Sequence, residues 1–218
     1  MVIPIAPSED KLWRLFESIP KEIVIGELIL VGPVLPSLSE GIVQNLPFAK
    51  VRLIESGMRR AKQLHQGVMN ASKKYVWLVH ADSKLSVELF LEIERHIRQC
   101  RKELLYFMLE FIDCENMNMS PQELGVQFRS RCLGMPFGDQ SFLFAREDYH
   151  EKIFFDPSLA YGEDHVFIWK WRLAGNRLLG SPYCIQTSAR EYQEGKWRLT
   201  LRYLYLSLKQ ALPYFLKS

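Results

Sequence analysis

Residues 57 to 83 read GMRRAKQLHQGVMNASKKYVWLVHADS, a basic amphipathic segment followed by an apolar strand that ends near a carboxylate. Met58, Ala61, Leu64, Val68 and Ala71 recur at spacings of three and four, which predicts a helix with one apolar face. Arg59, Arg60, Lys62 and Gln63 fall largely off that stripe, where they face solvent or a ligand. Tyr75-Val76-Trp77-Leu78-Val79 is almost continuously apolar, as expected of a strand covered on both faces of its sheet. His80-Ala81-Asp82-Ser83 follows at once. Open α/β sheets bind ligands outside the carboxyl ends of their strands, so Asp82 stands where a ligand would be handled. A carboxylate there suits a divalent cation bridging phosphates, and nearby basic residues suit the phosphates themselves. On the residues alone, Asp82 also suits the cap of a helix starting near Ser86, and the arginines suit a solvated helix face.

Outward from this stretch the first half of the chain alternates strand and helix. Residues 2 to 6 read as a first strand, and Ser8-Glu9-Asp10 supplies an N-cap and acidic first turn for a helix to residue 19. Residues 22 to 31 read as a second strand and 51 to 54 as a third. A helix over 87 to 99 carries Leu89, Phe90, Ile93 and Ile97 on its apolar face, and 104 to 112 is another apolar strand. Such alternation predicts a largely parallel sheet covered on both faces. Later, 121 to 132 reads as a helix, 136 to 140 as a loop and 141 to 145 as a short strand. Residues 163 to 174 form a helix that Gly175-Asn176 stops, and 178 to 186 is a strand. An aromatic-rich helix over 197 to 212 closes the chain.

A length of 218 residues suits one domain, 1–218, whose pattern changes between a half over about 1–112 and a half over about 113–218. A net charge of +3 does not by itself argue for nucleic acid, whose binders normally show a stronger, clustered excess, and no nucleic-acid partner is expected. Cys100, Cys114, Cys132 and Cys184 have no CxxC spacing and no histidine partners, so neither a zinc site nor a disulfide framework is expected. No signal peptide and no membrane span are expected either, and the reading is cytoplasmic.

Several blocks in fixed order resemble a bacterial branch of the family 2 glycosyltransferases. In that branch a Gly-Arg-Ala-x-Gln-Met-Asn-x-Gly helix precedes a Leu-His-Ala-Asp-Thr motif, matched here from Gly57 to Ser83. Gly134-Met135-Pro136-Phe137-Gly138-Asp139-Gln140, Gly162-Glu163-Asp164-His165 and Thr187-Ser188-Ala189-Arg190 follow in the same order. The resemblance covers roughly residues 50 to 215. It implies a GT-A-like (Rossmann-like) α/β domain with a mixed, mainly parallel sheet covered by helices. The implied activity is transfer of a sugar from a nucleotide diphosphate-sugar to a hydroxyl acceptor. Asp82 takes the last acidic position of an Asp-x-Asp-type motif and His80 the first, so both are candidate ligands of Mg²⁺ or Mn²⁺. Asp164 is the implied general base, although an acidic residue also suits the first turn of any helix. Arg59, Arg60, Asp139, Gln140 and Arg190 are implied contacts to the donor or its phosphates, Gly138-Asp139 being also a common turn pair.

The chain departs from the family where the nucleoside is held. Ile3 to Asp10 lacks the Pro-x-x-Asn-Glu type motif, and Val31-Gly32-Pro33-Val34-Leu35-Pro36-Ser37 contains no Asp. A non-catalytic descendant that binds a nucleotide or a protein is therefore the alternative reading. A nucleotidyltransferase is a further rival, but the glycine-rich phosphate loop it would want near the first strand is absent. The last helix pairs Leu204 and Leu208 with Arg198, Arg202, Lys209 and Lys217, a pattern that fits packing on the domain, a homodimer, or a peripheral membrane contact beside a lipid-linked acceptor.

Overall fold

A computed structural model describes residues 1–7, 11–23, 25–33, 46–114, 118–189 and 209–210. Seven strands among these residues form a single sheet in the order β3-β2-β1-β4-β6-β5-β7. They are β1 Val2–Pro4, β2 Leu28–Gly32, β3 Val51–Glu55, β4 Tyr75–Leu78, β5 Leu104–Ile112, β6 Phe142–Ala145 and β7 Leu178–Ser188. Only β6 runs against its neighbours, pairing Leu78 with Phe142 on one side and Leu105 with Leu143 on the other. Its reversal brings the loop ahead of β6 to the carboxyl end of β4.

The inner strands β1, β2, β4, β5 and β6 are almost continuously apolar because both faces are covered, whereas the edge strands β3 and β7 carry polar and exposed residues. Val2, Ile29, Val31, Val76 and Leu78 turn to one face, where α2 (Arg60–Asn70) contributes Leu64 and Val68 and α5 (Glu163–Leu173) contributes Phe167 and Trp171. Ile3, Leu28, Leu30, Trp77 and Val79 turn to the other. There α1 (Leu12–Glu17) contributes Leu15, and α3 (Val87–Arg98) contributes Leu89, Phe90 and Ile93. Each such side chain removed from water contributes roughly 1.5–3 kcal/mol, so the two layers hold the sheet between them. Gly67 lets α2 lie close on β1, since a Cβ there would run into the Val2 side chain. The remaining helix, α4 (Ser120–Cys132), opens with Pro121 in its first turn and packs beside β5, where Tyr106 donates to the Ser130 carbonyl at 3.1 Å.

Several sequence expectations need correcting. Gln63, expected to face solvent or a ligand, is buried and its Nε2 donates to the Gly57 carbonyl at 3.0 Å. Met58 is 74% exposed, because the helix begins only at Arg60 and Met58 lies ahead of it. Ile97 is exposed in the last turn of α3, while His96 is buried in its place. The second strand begins at Leu28 rather than at residue 22; among the described residues before it, Ile25 makes an isolated bridge to Phe48. Cys100, Cys114, Cys132 and Cys184 are free thiols. No helix among the described residues is long and apolar enough to cross a membrane. Ser8-Glu9-Asp10, Arg190 and nearly all of the helix expected over 197 to 212 lie outside the described residues.

Candidate active site

Four segments far apart in sequence meet at the carboxyl edge of the sheet. The first is the turn after β4, where Ser83 N–H donates to the His80 carbonyl at 3.2 Å and Asp82 stands partly buried between them. The second is the start of α2, with Arg59 at its N-cap position and Arg60 as its first residue. The third is the short 3₁₀ turn Gly138–Gln140 ahead of β6, and the fourth is Glu163-Asp164 in the first turn of α5.

Hydrogen bonds fix the loop ahead of β6. Trp77 Nε1 donates to Ser141 Oγ at 2.6 Å, and that hydroxyl donates to the Leu78 carbonyl at 2.5 Å. Gln140 is fully buried; its Nε2 donates to the Phe107 carbonyl at 3.0 Å. Its Oε1 accepts from Phe137 N–H at 3.2 Å and from Arg129 Nη2 at 3.3 Å. Gln140 therefore ties the loop to β5 and α4, which corrects the expectation that it contacts the donor.

Arg60 is the centre of the cluster. Its Nη1 donates to Glu163 Oε1 at 2.5 Å and to Asp164 Oδ1 and Oδ2 at 3.0 and 2.9 Å. Its Nη2 donates to His80 Nε2. Gly138 N–H adds a 3.1 Å bond to Asp164 Oδ2. Only glycine fits there, since a Cβ would lie 2.5 Å from Asp164 Oδ2 and 2.6 Å from Arg60 Nη2. Burial opposes the charge on Arg60, but the carboxylates of Asp164 and Glu163 outweigh it and raise its pKa further. His80 is held well below the usual histidine value, first by burial and then by the Arg60 charge, so it stays a neutral acceptor.

Asp139 shares the loop. Burial pushes its carboxyl above the usual range, an effect that Arg129 and Arg60 oppose, and its buried Oδ1 has no hydrogen-bond partner among the described residues. A buried acceptor left open in this way costs about 1–3 kcal/mol unless a ligand donor completes it. Arg59 is exposed, with Nη1 donating to the Ser158 carbonyl at 3.1 Å.

Three side chains that no local sequence pattern joins, Arg129, Phe137 and His165, pack together beside this cluster. The Phe137 ring lies between the Arg129 guanidinium, 3.0 Å from its centroid, and the His165 ring, 3.8 Å away. The signal was present in the His that follows Glu163-Asp164, but its partners come from α4 and the preceding loop. Burial and then the Arg129 charge lower the His165 pKa from 6.5 to about 4, against smaller opposing effects of Glu163 and Gln210. An unfolded chain would therefore take up this proton first as pH falls. Stability is complete above about 6.5 and is lost towards 4, and the gap corresponds to roughly 3 kcal/mol. Urea unfolding at pH 7.5 and 4.5 should show that His165→Asn removes a loss of about this size from the difference. An unchanged difference would rule out His165 as its source.

Comparison with known proteins places the fold. No family model matches the chain, and no curated sequence does. Solved structures do. S. aureus TarS 1-349 matches with a TM-score of 0.65 at 17% identity, over 87% of this chain and 60% of that one. The same TarS fragment in complex with UDP matches with a TM-score of 0.64 at 16% identity, over 86% and 59%. The mannosyltransferase PcManGT from Pyrobaculum calidifontis, in complex with GDP-Man and Mn²⁺, matches with a TM-score of 0.67 at 13% identity, over 97% and 63%. The fold is GT-A. The chain spans about 60% of the length of these solved proteins.

The GT-A fold raises the question of a divalent cation, and the residues answer it differently at the two expected ligands. His80 does not fit, because its Nε2 lone pair is already engaged by Arg60. Asp82 does fit as a carboxylate at the strand mouth. The charge balance also fits, because among the described residues the Arg60 charge is taken up by Glu163 and Asp164 rather than left for a diphosphate. Among the described residues no three His, Cys, Asp or Glu side chains cluster as a closed metal cage.

Proposed function

We propose that this chain transfers a sugar from a nucleotide diphosphate-sugar to a hydroxyl acceptor, with Asp164 as the general base. The observation that supports it most is the convergence of its ordered motifs on one carboxylate at the carboxyl edge of a GT-A sheet. Asp164 Oδ2 is used twice, by Arg60 and Gly138, whereas among the described residues Oδ1 accepts only from Arg60. Oδ1 is thus the oxygen with room for the acceptor proton. As that proton moves to Oδ1, the acceptor oxygen bonds to the anomeric carbon and the bond from that carbon to the diphosphate breaks, the diphosphate leaving with the electron pair.

Asp139 Oδ1 takes a donor-sugar hydroxyl in this reading, since a carboxylate would repel the diphosphate. Arg59 stands outside the ion cluster and serves the donor phosphates, with Arg190 joining it from the C-terminal segment. A Mg²⁺ or Mn²⁺ held through Asp82 would supply the charge that stabilises the leaving diphosphate. The acceptor side, whether a soluble or a lipid-linked hydroxyl, and a cytoplasmic setting belong to the same proposal. The absence of an Asp in residues 31 to 37 favours a second reading, a non-catalytic nucleotide- or protein-binding descendant.

Calorimetry with a panel of UDP-, GDP- and dTDP-sugars in the presence of Mn²⁺ tests the proposal. One donor class should bind and be consumed when acceptors are added. Binding with no consumption across acceptors would favour the second reading, and no binding at all would remove both nucleotide readings.

A further inference from the structure

The Arg60 guanidinium bonds to the His80 ring at the mouth of the site. A histidine at the first position of the His80-Ala81-Asp82 turn is expected to help hold a cation, and an arginine opening α2 is expected to meet phosphates. In the structure the two side chains meet each other instead, and the far side of the guanidinium is given to Glu163 and Asp164. Of the Arg60 side chain 30% remains exposed, whereas Glu163 and Asp164 keep 8% and 16%. A guanidinium offers a rigid planar fork, so fixing one of its nitrogens aims the other. A neutral imidazole can do this without competing for the charge, because it accepts a hydrogen bond yet adds no negative group. A carboxylate in the place of His80 would draw the guanidinium away from Asp164.

We propose that Arg60 and His80 are positioning residues for the base: His80 orients Arg60, and Arg60, with Gly138, holds Asp164 with Oδ1 turned to the acceptor. The assignment rests on Asp164 being the base, and it moves Arg60 from the donor side of the reaction to the acceptor side. It also moves His80 from the metal to the base. Misplacing a reacting group by about 1 Å typically costs about 10²-fold in rate, so the effect belongs in kcat rather than in donor affinity.

The test uses the full chain and four variants, Arg60→Ala, Arg60→Lys, His80→Leu and His80→Gln, each confirmed folded by circular dichroism and thermal melting. Nucleoside diphosphate affinity is read by calorimetry, Mn²⁺ affinity in the presence of that nucleotide by electron paramagnetic resonance, and kcat by nucleotide release. Arg60→Ala should lower kcat about 10²-fold with diphosphate affinity within about threefold, and added guanidinium should restore part of kcat. Arg60→Lys, which keeps charge but loses the fork, should resemble Arg60→Ala in direction and fold more securely. His80→Leu should lower kcat with Mn²⁺ affinity unchanged, and His80→Gln, which retains an acceptor, should recover much of it. A loss of diphosphate affinity of about tenfold or more in both Arg60 variants would return Arg60 to the donor and overturn the proposal. A loss of Mn²⁺ affinity in both His80 variants would do the same for His80. Failure of the underlying reading looks different: Asp164→Asn would keep parental kcat, and the role given to Arg60 and His80 would fall with it.

Discussion

Asp164→Asn should bind donor about as well as the parent chain and lose between 10² and 10⁴ in kcat. The range is that of a positioned acid or base in the transition state. Asparagine keeps the shape and can still accept from Gly138 N–H, so the loop should stay in place. What it loses is the charge that binds Arg60 and the capacity to take the acceptor proton. Because a base acts only as the proton moves, the loss should fall on kcat and kcat/KM together, with the donor dissociation constant unchanged. Single-turnover kinetics beside calorimetry separates the two. Retention of more than about a tenth of parental kcat would exclude the base role.

Gly138→Ala should be nearly as damaging although it removes no functional group. The new Cβ would sit 2.5–2.6 Å from both Asp164 oxygens and from Arg60 Nη2. Either the loop retreats, and Asp164 loses its N–H donor, or the ion cluster opens. Overpacking of this kind costs about 1–3 kcal/mol in stability, and displaced reacting groups cost about 10²-fold in rate. Urea unfolding and kcat should therefore both move. Parental values of both would mean that the loop and Asp164 are not held together in the way described.

How much of this could be read from the residues varied with the range of the interactions. The limits of β5 at Leu104 and Ile112 are those of the apolar run itself, since burial on both faces leaves a continuous signature. The helix of residues 60 to 70 was readable from its stripe, but Met58 was not placed correctly, because periodicity carries a pattern past the point where the helix starts. The motifs located the site, and their side chains were harder to assign. Gln140 looked like a ligand contact and proved to be a buried tie, because its partners Phe107 and Arg129 are brought to it only by the fold. His80 looked like a metal ligand for the same reason: nothing near it in sequence shows that the first residue of α2 reaches its ring. Glu163 and the Arg129–Phe137–His165 stack are likewise tertiary arrangements between separate elements.

The central claim, that this GT-A chain moves a sugar from a nucleotide, is tested most directly by measuring nucleoside diphosphate release. The assay would run UDP-, GDP- and dTDP-sugars with hydroxyl acceptors, with and without divalent metal, for the parent chain and Asp164→Asn side by side. The account predicts release from one donor class by the parent, increased by acceptor, diminished by chelation of the metal, and lost in Asp164→Asn. Release by neither protein from any donor, or equal release by both, would contradict it.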